Sequence, residues 1–154
     1  MAPKPYALID LHCDTLTDCK YTSGEGIDTL DDPQRVLQLS NIPDGVHWAQ
    51  FYAIFIPDEY HGSDAIHYYE RNRDNFYRQM EKFSKRVLPC RSAVDLDKAF
   101  RTNRTAAFLS VENGSALAGN LDRVALLAED GGRAITLTWN GENEIGAGHQ
   151  TEHG

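Results

Sequence analysis

The sequence has no long apolar run. Nothing in it approaches the ~18–20 consecutive apolar residues that a bilayer-spanning helix needs, and Met1 to Tyr6 lack the basic stretch and apolar segment of a secretory leader. Cysteine is scarce. Cys13, Cys19 and Cys90 are an odd number, without the spacing of a metal knuckle or a disulfide framework. Free thiols in a reducing compartment follow, and the expected location is cytoplasmic. Basic residues are not in excess either: 15 Lys and Arg stand against 23 Asp and Glu, for a formal net charge of −8. That balance opposes a phosphate backbone as the main partner, so neither nucleic acid nor membrane is expected. No G-x-G-x-x-G or P-loop follows a candidate strand, which disfavours nucleotide-binding open sheets. No repeat, low-complexity tract, Ser-His-Asp triad or reactive Cys-His pair is present.

What is present is an ordinary globular composition, 41% hydrophobic and 25% charged over 154 residues, enough for one domain with a core. Four short, mostly apolar runs bounded by turn residues predict strands buried on both faces: 6–14, 46–56, 105–112 and 133–139. Helical periodicity lies between them. In 63–85 the residues Ile66, Tyr69, Phe76, Met80 and Phe83 share one helix face, with Ser63 or Asp64 as the N-cap. A shorter helix fits 94–101. Another fits 117–130, with Leu121, Val124, Ala125 and Ala128 as its apolar stripe and Gly131 as its stop. The segment 16–44 reads as a polar loop with one short helix near 33–39.

Strands alternating with helices predict a parallel sheet with right-handed crossovers. A closed barrel and an open doubly wound sheet both begin this way. Four strands do not close a (β/α)₈ barrel, which usually takes about 250 residues. The expected fold is therefore α/β, the N-terminal half (about four β/α units) of a TIM-type barrel. Residues 1–154 are expected to form one partial barrel domain that stops early, in the Gly-rich stretch 142–154.

Chemistry concentrates in three places. In Asp10-Leu11-His12-Cys13-Asp14, strand alternation sets Asp10, His12 and Asp14 on one face and Ile9, Leu11 and Cys13 on the other. Ionisable groups on an apolar strand are costly without a partner, and a divalent metal supplies one, since imidazole and carboxylate are both zinc ligands. Asp10, deeper in the strand, is placed to orient a ligand from behind. The competing reading is a half-exposed edge strand with solvated polar residues. Glu112 closes the third strand, where barrel sites are built; alone it would equally serve as a turn or capping carboxylate. His149 and His153 have the i, i+4 spacing of a helical zinc site, but the glycines around them predict a solvated loop. His61 and His67 are expected at the surface, and Cys13 as a buried thiol facing away from the ligands.

The blocks IDLHCDTL, DGVHWAQFYAIFIP, FLSVENGSAL and GGRAITLTWNGENEIGAGH, in this order, resemble the membrane dipeptidase family (renal dipeptidase, peptidase family M19) over nearly the whole chain. The resemblance implies a hydrolase: a (β/α)₈ barrel metallopeptidase with two zinc ions, which cleaves dipeptides by a hydroxide bridging the metals. It implies His12 and Asp14 as zinc ligands and Glu112 as the catalytic carboxylate that bridges both ions. The family's other two ligands are histidines from later strands, which this chain does not contain; His149 and His153 do not match them. Two departures stand out. The family's V-E-G-G or V-E-G-A reads Val111-Glu112-Asn113-Gly114 here, and Trp139 stands where mammalian members carry a substrate-contacting histidine, as bacterial-type relatives often do. The chain alone is therefore expected to bind metal weakly and to be inactive. Its expected partners are a dipeptide substrate and either a second copy or a C-terminal half. The alternatives are a non-catalytic fragment, a half-barrel that only binds metal or a partner, and a related barrel amidohydrolase with another substrate.

Overall fold

The computed structural model describes residues 6–17, 30–33, 35 and 37–152. Within them the elements run β1 (Tyr6–Cys13), β2 (Val46–Phe55), α1 (Gly62–Lys82), β3 (Val87–Pro89), α2 (Ala93–Arg101), β4 (Thr105–Glu112), α3 (Arg123–Glu129) and β5 (Gly132–Thr136), with 3₁₀ turns at Leu39–Asn41 and Gly114–Leu117. Every strand pairing is parallel. β1 lies beside β2 and β2 beside β4. The far edge of β4 is shared: β3 pairs with its first residues, Thr105–Ala107, and β5 with its last, Leu109–Glu112. The four main strands β1-β2-β4-β5, with their helices, make the N-terminal half of a TIM-type barrel.

The alternation of β2 and β4 builds two cores. Tyr52 and Ile54 on β2, Ile56 just past its end, and Ala107, Leu109 and Val111 on β4 face α1, which contributes Tyr69, Phe76 and Met80. The opposite alternation, Ala49 and Phe51 with Ala106 and Phe108, meets Leu96, Ala99 and Phe100 around α2. The sheet thus packs against α1 on one face and, over its early part, against α2 on the other. On the α2 side the series Ala106, Phe108 continues through Ser110 to Glu112, so that carboxylate stands on the face away from α1 at the C-terminal end of β4.

β1 departs from regular pairing. Asp10 pairs with Gln50 but Cys13 pairs with Tyr52, so Leu11 and His12 together occupy the place opposite Phe51. Two residues facing one is a β-bulge, and it shifts the alternation of everything after it.

Several boundaries differ from the sequence reading. A short strand, β3, was not anticipated; its three residues run straight out of the α1 turn and stop at Pro89. Helix 117–130 is reduced to Arg123–Glu129, because Ala118 and Gly119 take positive φ (47° and 69°) and end the preceding turn. Its expected stripe is exposed, and Leu127 is the residue it buries. The last strand ends at Thr136 rather than 139, since the Leu137 carbonyl accepts from Gly114 N–H (3.1 Å) and from the Asn143 amide (2.8 Å) instead of continuing the ladder. Of the helix expected near 33–39, residues 34 and 36 lie outside the described residues, and only the 3₁₀ turn Leu39–Asn41 follows. Helix α1 starts at Gly62, with His61 rather than Ser63 or Asp64 as N-cap, and its first N–H is met by Glu144 Oε1 at 3.4 Å.

Phe76 is the packing pivot of the α1 core: it is fully buried and its ring lies 6.3 Å from that of Tyr52. Phe76→Ala should cost about 3–5 kcal/mol by lost burial and cavity formation. Val94→Ala, at an exposed position on α2, should change stability by less than about 0.5 kcal/mol. Urea unfolding followed by circular dichroism measures both; equal effects would mean that the α1–β2–β4 layer is not the main core.

Candidate metal centre

The C-terminal ends of β1, β2 and β4 lie side by side, and the bulge in β1 turns His12 and Asp14 to the Glu112 side of the sheet. His12 Nε2 stands 3.3 Å from Asp14 Oδ1 and 3.3 Å from Glu112 Oε2. One donor atom from each of the three residues lies within 4.8 Å of the others, the only such set of His, Cys, Asp or Glu among the described residues. Nitrogen and oxygen ligands bind zinc at ~2.0–2.2 Å, which in a tetrahedral arrangement separates neighbouring donors by about 3.3–3.6 Å. The donor types and the His12 spacings both fit a divalent metal.

The three groups differ in environment. The Glu112 side chain is 16% exposed, against 46% for His12 and 50% for Asp14. Burial pushes the Glu112 carboxyl above the ordinary carboxylate range; the neighbouring Asp14 charge raises it further and His12 opposes the rise. A carboxylate held against its own ionisation is relieved by a cation, so the set is better suited to a metal than to standing alone. Below Glu112 on the same face, Ser110 is buried and its hydroxyl has no hydrogen-bond partner among the described residues. A lone Ser two residues before Glu112 in an apolar strand was the available sequence signal for it.

The structure brings together His12, Asp14 and Glu112, and separates the other candidates. Asp10 does not share their face, as regular alternation would require; the bulge leaves it in register with Gln50, on the α1 side. Its carboxylate reaches His12 through the backbone, accepting the His12 N–H at 3.1 Å. Cys13 faces away from the set as expected but is only half-buried, packed against the α1 core, and burial pushes its thiol up to about 11. His149 is exposed in a turn after β5, and His153 lies outside the described residues. His61 and His67 are exposed at the start of α1. Beside the cluster, Phe55 pairs in register with Glu112, and Trp139 packs edge-on against it at 4.7 Å, forming an aromatic border.

Comparison with known proteins identifies the family and the fold. The model of the family described as membrane dipeptidase (peptidase family M19) matches residues 4–154. Dipeptidase AC, a metallopeptidase of family M19, superposes with a TM-score of 0.68 at 16% identity, over 90% of this chain and 44% of its own. An amidohydrolase from Pseudomonas aeruginosa gives 0.63 at 20% identity, over 71% and 32%. A metallopeptidase from Rhodobacter sphaeroides, liganded with a phosphinate mimic of the dipeptide L-Ala-D-Ala, gives 0.59 at 15% identity, over 64% and 35%. At such identities the likeness speaks to the fold alone. The chain spans less than half the length of each of these structures. No curated protein sequence matches it significantly.

The raised Glu112 carboxyl carries a pH signature. The unfolded chain ionises Glu112 near its ordinary value, 4.5, and the folded chain above it. The unfolded state therefore binds fewer protons in that window, and Glu112's contribution to stability is present below the unfolded value and lost as pH rises through the folded one. Glu112→Gln should raise the urea midpoint of the metal-free protein at pH 7 and leave it little changed at pH 4. A lower midpoint at pH 7 would mean that Glu112 is not held against its ionisation.

Proposed function

Given that the chain belongs to the membrane dipeptidase family, peptidase family M19, we propose that it supplies the first half of the metal site of a zinc-dependent dipeptidase. The observation that carries this reading is the His12–Asp14–Glu112 set, with its 3.3 Å spacings at the C-terminal ends of β1 and β4. When bound, the metal supplies a Lewis acid and lowers the pKa of bound water toward about 7. The protein groups do the holding. His12 offers a nitrogen and Asp14 an exposed carboxylate, while Glu112, the least exposed of the three, has two oxygens with which it would serve two ions. Two zinc ions per complete site, with two further histidines from later barrel strands, are what the family resemblance implies. Asp10 holds the His12 backbone in place, and the Phe55–Trp139 border would face the substrate.

The sheet also supports a need for further structure beside it. Leu8, Ile9 and Leu11 are exposed on β1, and an apolar cleft of about 380 Å³ opens next to β5, lined by Val111, Val124, Leu127 and Ile135. Open strand edges with apolar flanks invite pairing, and the remaining half of the barrel, or a second copy, would cover them. No described helix is long and apolar enough to cross a membrane; the cytoplasmic location is part of the proposal.

Two measurements test the reading. Calorimetry with zinc on this chain should show one weak site, abolished by Asp14→Ala; two tight sites, or binding indifferent to Asp14, would contradict it. The chain continued through its downstream barrel strands should hydrolyse L-L or L-D dipeptides. Glu112→Gln should lower that turnover by about 10²–10³-fold or more, the scale of losing one group from a catalytic set. Unchanged turnover in Glu112→Gln would remove Glu112 from the mechanism.

A further inference from the structure

In a regular β1 the register set by Asp10 and Gln50 would continue, pairing Leu11 with Phe51, His12 with Tyr52 and Cys13 with Ala53. Tyr52 belongs to the α1 core, so His12 would then point into that core and Cys13 toward the Glu112 face. The bulge reverses this by breaking the regular register between Asp10 and Cys13. Backbone polar groups inside a sheet need partners, and at the break two side chains supply hydrogen bonds. The Asp10 carboxylate accepts the His12 N–H at 3.1 Å. The Asp10 carbonyl accepts from Gln50 Nε2 at 3.4 Å.

Gln50 is an unusual residue for its place. It lies in the middle of a central strand and is completely buried, between Trp48 and Tyr52 on the alternation that faces α1. Its amide is fixed at both ends: Oε1 accepts the Trp48 indole N–H at 3.1 Å, and Nε2 also donates to the Phe51 carbonyl at 3.1 Å. Phe51 is the residue that the bulge straddles. The Gln50 side chain thus joins the two strands at the irregularity, in a position where an apolar side chain would satisfy burial alone.

We propose that Gln50 is a positioning residue: by hydrogen-bonding the Asp10 carbonyl it holds the β1 bulge, and the bulge is what presents His12 and Asp14 to Glu112. The effect on metal holding rests on the proposed metal site; the effect on register does not. Replacing Gln50 by an apolar residue of similar length removes this donor to the Asp10 carbonyl, and β1 then slips to the regular register. That slip moves Cys13 out of the α1 core and onto the open face.

The test is Gln50→Met, read in two ways on the whole chain. Time-resolved alkylation of the metal-free protein with iodoacetamide, with sites mapped by mass spectrometry, should label Cys13 at least ten-fold faster than in the unaltered protein, while Cys90 keeps its rate. Zinc affinity by calorimetry should fall about 10–100-fold, the scale for losing a group that orients a ligand. General loosening would speed both thiols together, so equal acceleration of Cys13 and Cys90 would overturn the proposal. Unchanged Cys13 labelling in a folded Gln50→Met protein would overturn it too. Should the unaltered chain bind no zinc, the metal reading fails and the labelling still decides the register. Should Gln50→Met not fold, Trp48→Phe, which frees only the Gln50 carbonyl, should give a smaller acceleration confined to Cys13; no acceleration there would count against the proposal.

Discussion

Neighbouring strands of a parallel sheet share one alternation of faces, so the side of the sheet on which a residue stands is settled by register, and a shift of one residue inverts it. The site depends on one such shift. Glu112 arrives on its face by regular alternation along β4, from Ala106 through Phe108 and Ser110. His12 and Asp14 reach the same face only because Leu11 and His12 take the place of one residue opposite Phe51. The cost is local: a break in the ladder, covered by the Asp10 carboxylate and the Gln50 amide. The return is that three ionisable groups converge while Cys13 stays against the α1 core. Bulges beside sites commonly re-aim a side chain in this way.

Glu112 bears the electrostatic side of that arrangement. It is the least exposed member of the set, and burial together with Asp14 holds its carboxyl above the ordinary range. A carboxyl held against its ionisation costs stability at neutral pH, which is the pattern expected where a site stores an unfavourable charge for a ligand to relieve. The surroundings are correspondingly firm. The α1 core backs β2 and β4 from one side, and on the other α2 closes the early part of the face. The aromatic pair Phe55 and Trp139 then borders the end where the ligands stand.

Much of this could be read from the residues. The strands at 105–112 and 46–56 were legible because apolar β-formers bounded by Pro57 and Asn113-Gly114 leave little choice of period, and the α1 face was legible from Tyr69, Phe76 and Met80. His12 and Asp14 stood out because charged groups on an apolar strand are unusual, whereas Glu112 drew notice only beside them and through the family resemblance. The grouping of Asp10 with them was not correct, since alternation assumes a regular strand and the bulge depends on partners forty residues away in sequence, which local pattern does not reveal. The helix after β4 failed for a similar reason. Leu121, Val124, Ala125 and Ala128 keep helical spacing, yet the positive φ at Ala118 and Gly119 sets where the helix begins and turns Leu127 inward instead. The end of β5 was fixed by two distant donors, Gly114 and Asn143, that capture the Leu137 carbonyl.

The central claim is that His12, Asp14 and Glu112 hold a metal together. It is tested most directly by locating the ion, through anomalous scattering at the zinc edge from crystals of the zinc-loaded protein. An anomalous peak about 2.0–2.2 Å from His12 Nε2 and from oxygens of Asp14 and Glu112 is the expected result. A peak at His149 or elsewhere on the surface, with these three residues free of metal, would contradict it.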